Sequence, residues 1–277
     1  SLGTGIDPTE LIAEHGADAT RYGLLKMAST QDVRFSHGAI EEGRKLGNKL
    51  WNVSRLLLAN VGEAKPDLRP RDVEERWILA RLDAARAELE GSITEFDFSA
   101  ATSTLYHLTF DDFCDWYAEA IKPRLYAGDE DARATALGAL ERLLKLLHPV
   151  MPHVTEEIWS NIPDRETRLI VAPWPDPDGQ FADDLHALDR VQEAATIFAR
   201  SGVRIDLGED EQRIFDAKRV QAGGDPQAEI ARLEKEVARA EGMLANERFT
   251  GKAPPEVVEA EREKLERYRR ELDALRT

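Results

Sequence analysis

The chain has 277 residues, enough for two domains, and its 42% hydrophobic content can fill a core beneath a surface rich in charge. No apolar run reaches the length of about 18 residues that a membrane span needs, and no basic segment followed by an apolar one opens the chain as a secretion signal would. A net charge of −16 repels phosphate over the molecule as a whole, so any nucleic-acid contact must rest on local basic stripes. The single cysteine, Cys114, excludes an internal disulfide and a cysteine-rich zinc site and fits a reducing cytoplasm. The acid is unevenly spread: residues 226–277 hold eleven Lys or Arg against twelve Asp or Glu, so the excess lies before them.

In chain order, a Gly-rich start with a turn at Asp7-Pro8 leads to a short helix over Thr9 to His15, closed by Gly16, and a second helix over Ala17 to Ser29. Asp32 to Ser36 reads as extended. Ser36 to Val61 is the longest amphipathic helix, with Ser36 as its N-cap and Glu41 and Glu42 near its positive end. Ile40, Gly43, Gly47, Leu50, Ser54, Leu57 and Val61 recur at helical spacing, and the three small residues among them let another helix approach closely. A second row on the same helix carries Arg44, Asn48, Asn52 and Arg55, with Lys49 beside it. Such a row is either a solvated face or a set of donors suited to phosphates and base edges. Trp51 is expected in the core.

Val73 to Ile93 forms the next helix, with Trp77, Ile78, Leu82, Ala85, Leu89 and Ile93 as its apolar stripe. Ser99 is expected to cap a helix over Ala100 to Lys122 that ends before Pro123. Within it Asp111, Asp112 and Asp115 lack convergent partners for a metal and are expected to stay wet or to pair with Lys122 or Arg124. Asp129 to Leu147 turns Leu137, Leu140, Leu144 and Leu147 inward. Prolines then break the helix between His148 and His153, which read as histidines seated against a bundle core. A new helical turn starts at Thr155. Short strands are expected at Leu169 to Ala172 and Val203 to Leu207, with a helix over Asp183 to Arg200 between them and a polar, poorly patterned stretch from Gly208 to Gly224.

The tail has the clearest period. Ile230, Leu233, Val237, Ala240 and Leu244 follow a heptad seam, and Val258, Glu261, Leu265, Tyr268, Leu272 and Leu275 repeat it. The intervening Asn246 to Pro255 cannot continue a helix, so the two arms predict an antiparallel hairpin. Arg232, Lys235 and Arg239 lie on the outer face of one arm, and Lys264, Arg267 and Arg270 on the other.

Several stretches carry a family resemblance. SLGTGIDPTELIAEHGADATRYGLL resembles the sequence that follows the KMSK signature of class I aminoacyl-tRNA synthetases, with Ser1 as its last residue. DVRFS with GNKLWNVSR, FDDFCDWYAEAIKPRL and LANERFTGKAPPEVVEAEREKL are similar to segments of the valine–tRNA ligase family, and LHPVMPHVTEEIW resembles the closing element of the helical anticodon-binding domain shared by class I synthetases for branched aliphatic amino acids and methionine. Thr4 stands where that family usually has Asn, and the likeness thins between residues 200 and 225, where the chain looks shortened.

The resemblance implies a mainly α architecture: a post-KMSKS stem-contact region (1–35), a helix-bundle anticodon-binding domain (36–165), a small α/β connecting region (166–225) and a coiled-coil tRNA-binding arm (226–277). It implies a valine-specific tRNA as partner, with the anticodon read by Arg44, Asn48, Lys49, Asn52 and Arg55. The outer corner of the tRNA would be held by Arg232, Lys235, Arg239, Arg248, Phe249, Lys252, Lys264, Arg267 and Arg270; Phe249 either stacks on a loop base or packs under the turn. It implies no catalytic residue beyond Ser1 as a remnant, no metal site and no cofactor in this chain. ATP with magnesium would serve the parent enzyme, upstream of residue 1, so this chain would not charge tRNA by itself. The expected setting is a cytoplasmic monomer without membrane or DNA contacts. Two alternatives are the same region of an isoleucine or leucine ligase, and a structural protein built on a bundle and a coiled coil.

Overall fold

The computed structural model describes residues 6–29, 34–165 and 167–223, together with Val237, Leu244 and Leu265. The chain divides into two compact units, Ser1–Asp189 and Arg190–Thr277. The described residues are mainly helical and contain no strand, and no helix among them is long and apolar enough to cross a membrane.

The first unit opens with α1 (Pro8–His15) and α2 (Ala17–Lys26), separated by Gly16 at φ 89°. Asp7 caps α1 through Thr9 N at 2.8 Å. α3 (His37–Asn60) buries Ile40, Leu50 and Leu57 of the seam its sequence period predicts, and Leu46 besides. α4 (Val73–Thr94) starts with Glu75 folded back onto the amides of Arg71 (2.8 Å) and Asp72 (3.0 Å), which satisfies two backbone donors at its N-terminus. The fully buried Glu75 also meets Arg124 at 2.8 Å, and Arg124 reaches Asp129 at 2.8 Å. Pairing offsets part of the desolvation of these charges, and Glu75 Oε1 stays buried without a hydrogen-bond partner among the described residues.

The stretch expected as one helix ending before Pro123 is three. α5 (Phe98–Tyr106) passes into a π-helical segment (His107–Tyr117) and then into α6 (Ala118–Ala127), which runs through Pro123. Burial of Ile121 and Leu125 on either side of Pro123 outweighs its missing hydrogen bond, and the helix stops instead at Gly128, in the left-handed conformation. The cap of α5 is Asp97, whose carboxylate accepts from Ala100 N at 2.9 Å. Ser99 donates instead to Lys26 O at 2.8 Å and ties α5 to the end of α2. α7 (Glu130–Leu147) is capped by Asp129 and buries Leu137, Leu140, Leu144 and Leu147 as expected. α8 (Pro152–Ser160) follows.

Neither expected strand forms. Leu169–Val171 is one turn of 3-10 helix, because the Glu156 carboxylate takes the amides of Leu169 (2.9 Å) and Ile170 (3.3 Å) that a strand would give to a neighbour. Residues 203–207 form no regular element. The helix expected from Asp183 is a 3-10 turn, Ala182–Asp184, and α9 (Asp189–Ser201). In the second unit the polar stretch is helical: α10 (Glu209–Gly223) begins with Glu209, Asp210 and Glu211, acids that suit a helix N-terminus. Glu211 also accepts from Gly208 N at 2.8 Å, and Phe215 packs edge-on against Phe198 at 5.7 Å. Val237, Leu244 and Leu265, three positions of the predicted heptad seams, are helical, and Leu265 is buried.

Candidate nucleic-acid interface

The small residues of α3 do bring a helix close. A Cβ on Gly43 would lie 2.7 Å from the Tyr22 ring, and one on Gly23 of α2 would lie 2.6 Å from the Ile40 side chain. α2 and α3 are therefore in contact at a distance that only glycine permits on each side. Tyr22 then donates its hydroxyl to Glu42 at 2.5 Å, and Lys26 pairs with the same carboxylate. Burial, with Glu42 beside it, pushes the Tyr22 phenol well above its ordinary range.

The row on the outer side of α3 separates into two kinds of residue. Arg44 is engaged within the helix, giving Nε and Nη2 to Glu41 at 2.8 and 2.6 Å, and this hydrogen bonding holds the Glu41 carboxyl below its usual range. Lys49 pairs with Asp115 and lies 3.5 Å from the centre of the Phe110 ring. Asn48, Asn52 and Arg55 are exposed, and none has a side-chain partner among the described residues. Three residues with open hydrogen-bonding capacity thus share one helical face at i, i+4 and i+7.

Asn52 and Arg55 also form one lip of an open groove of about 720 Å³ between α3 and α8. Trp51, Leu56 and Leu58 give it apolar lining from α3. Glu157, Ile158 and Asn161 close it from α8. Trp51, expected in the core, is half-buried and lines this groove, because its position on α3 faces the gap beside α8 rather than the bundle centre. Ser54, read from sequence as a small packing residue, is buried in the groove lining with its hydroxyl unpartnered. Asn161 gives its Nδ2 to Glu157 O at 2.8 Å, and no donor among the described residues meets its Oδ1. Glu157 and Asn161 are not singled out by the sequence, since they lie about 100 positions from α3 and nothing in the chain links them to it.

The three acids of the π-helical segment have partners other than those expected. Asp111 meets His107 (2.7 Å), Asp112 meets Arg81 (2.8 Å) and Asp115 meets Lys49. Lys122 is taken by Glu119, one turn before it, and Arg124 by Glu75 and Asp129. Burial raises the Asp112 carboxyl despite Arg81, and pushes the Cys114 thiol up to about 12. Cys114 is therefore an inert packing residue. His148 bonds Thr155 through Nδ1 at 2.8 Å, whereas His153 points to solvent. Ser1 and the outer-corner residues Arg232, Lys235, Arg239, Arg248, Phe249, Lys252, Lys264, Arg267 and Arg270 lie outside the described residues.

Residues 75–212 match the family model described as the anticodon-binding domain of tRNA ligase, and residues 227–277 match that of the valyl tRNA synthetase tRNA binding arm. The chain is similar to the valine–tRNA ligases. It is 33% identical to a valine–tRNA ligase of Enterococcus faecalis, covering 100% of this chain and 39% of that protein. It is 34% identical to one of Listeria monocytogenes, covering 97% of this chain and 38% of the relative. The chain therefore spans about two fifths of the length of these family members and corresponds to their C-terminal part. The first alignment runs over 344 positions against 277 residues here, so the family carries additional residues within this region, in keeping with the shortening expected from the sequence. Among solved structures, the LeuRS of Agrobacterium radiobacter K84, determined as a ternary complex with tRNA and LeuAMS, has a similar fold. Its TM-score is 0.53 at 22% identity, over 65% of this chain and 22% of that one.

Proposed function

We propose that this chain is the tRNA-binding part of a valine–tRNA ligase, and that a base of the anticodon loop is read in the groove between α3 and α8. The observation that carries this reading is the open, amphipathic groove in which Asn52, Arg55 and Asn161 retain unused hydrogen-bonding capacity beside the Trp51 ring. An unstacked base needs a flat apolar surface and several donors and acceptors at its edge, and those are the groups present. Arg55 supplies a cation for the adjoining phosphate. Glu157 accepts from a base amino group and repels phosphate, which biases the groove toward base edges. Asn48 extends the same face, whereas Arg44 and Lys49 are held in ion pairs with Glu41 and Asp115.

The coiled-coil residues from Arg232 to Arg270 contribute affinity at the outer corner of the tRNA, in a monomeric cytoplasmic enzyme. Attachment of valine with ATP and magnesium belongs to the parent protein.

Fluorescence anisotropy with valine tRNA and with an anticodon-substituted version tests this reading. Binding should prefer the cognate RNA; Asn52→Ala should reduce that preference by about tenfold, the effect of losing one good base-edge contact, whereas Arg55→Ala should weaken binding of both RNAs alike. Equal binding of the two RNAs by the unmodified chain would overturn it.

A further inference from the structure

α8 starts without a cap of its own. Met151 at its N-cap position has no side-chain acceptor that bonds the first turn, and Pro152 at the first helical position has no N–H. The first orphan donors of the helix are therefore the amides of His153 and Val154. Both are taken by one carboxylate from far upstream: Asp18 Oδ1 accepts from His153 N at 3.0 Å, and Oδ2 from Val154 N at 2.6 Å. Arg21, three residues further along α2, gives Nη2 to Pro149 O at 2.9 Å on the other side of Pro152. α2 thus grips the entry to α8 at two points.

The same helix is locked onto α3 through Gly23 and Gly43. α3 and α8 are the two walls of the groove, and Glu157, Ile158 and Asn161 follow within two turns of the amides that Asp18 holds. We propose that Asp18 is a positioning residue of the groove: by capping α8 from α2, it sets where the α8 wall stands relative to Asn52 and Arg55. This rests on the reading that an anticodon base enters the groove. A carboxylate suits the place electrostatically, since it lies in the first turn of α2 and at the N-terminus of α8, and both helix ends favour negative charge.

A purely structural role would lower stability without changing which RNA is preferred. The experiment therefore compares the full chain with Asp18→Ala, which removes both acceptors, Asp18→Asn, which keeps one, and His153→Pro. The last deletes one donor on the α8 side at a position where a helix tolerates proline, and leaves α2 untouched. Anisotropy titrations with valine tRNA and the anticodon-substituted tRNA are run well below the Tm of each variant. Asp18→Ala should lose about fivefold of the preference between the two RNAs, the factor that corresponds to one lost cap, with Asp18→Asn and His153→Pro, which each lose one of the two bonds, in between. Affinity for the substituted RNA should not change. If the unmodified chain shows no preference, the anticodon reading itself has failed. If it does and these variants match it, Asp18 is a stabilising cap and the proposal is overturned. Should Asp18→Ala not fold, His153→Pro alone decides.

Discussion

Lys49 of α3 pairs with Asp115 of the π-helical segment, and its ammonium stands 3.5 Å from the centre of the Phe110 ring. A cation read from sequence as part of an RNA-facing row is thus spent on joining two elements of the bundle. Lys49→Met keeps the aliphatic stem over Phe110 and removes the charge. Both side chains of the ion pair are partly exposed, so solvent screening limits its worth, and the expected loss is about 1–2 kcal/mol. A thermal melt should show this as a reduced Tm, while titration with valine tRNA should give an unchanged affinity. A weakened affinity with an unchanged melt would mean that Lys49 meets the RNA.

Two glycines of α3 separate packing from helix propensity. Replacing either by Ala gains about 1 kcal/mol of propensity. At Gly43 the new methyl would lie 2.7 Å from the Tyr22 ring, and Tyr22 is fully buried and cannot give way, so an overpacking cost of about 1–3 kcal/mol exceeds the gain. At Gly47 the nearest atom is the Met151 methyl at 3.2 Å, the end of a flexible side chain. Denaturant melts should therefore place Gly43→Ala below the unmodified chain and Gly47→Ala level with it or above. The reverse order would show that α2 and α3 can separate at little cost.

His148 makes stability depend on pH in a defined direction. The Thr155 hydroxyl donates to Met151 O at 2.7 Å, so it accepts from Nδ1–H of His148. The buried Nε2 then has no partner, and a proton there would have no acceptor. Burial lowers the pKa of His148 below 6.5; Glu156 and Asp18 oppose this shift, and Arg21 and His153 add to it. Because the fold favours the neutral ring, this contribution is complete above about pH 6.5 and is lost as the pH falls through the folded pKa. A Tm series from pH 7 to pH 5 should slope downward, and the slope should flatten in His148→Asn. Parallel slopes would place the titration elsewhere.

Much of this architecture was legible in the residues. The seam of α7 follows from leucine spacing alone and that of α3 from the helical recurrence of Ile40, Leu50 and Leu57; the small residues of α3 announce a close helix without naming α2. Asn52 and Arg55 could be singled out because they share a face with little apolar character. What stayed hidden depends on groups distant in sequence. Nothing near Pro152 signals that Asp18 will cap α8, and nothing in the α8 sequence assigns Glu157 and Asn161 to a groove with α3. Leu169 to Ala172 has a strand-like composition, but Glu156 claims its amides first. The π-helical segment has the same apolar spacing as ordinary helix over a few turns, so only the structure distinguishes it.

That segment, His107–Tyr117, carries two acids whose ion pairs face different neighbours: Asp112 toward Arg81 on α4, and Asp115 toward Lys49 on α3. A π turn holds one residue more than an α turn. Deleting a single residue here would leave a continuous helix yet swing everything on one side of the deletion by about 100°. One acid would then miss its base. The two pairs act together as a gauge of chain length, and a one-residue indel at this point would misalign α3 with α4 although every hydrophobic residue survived it.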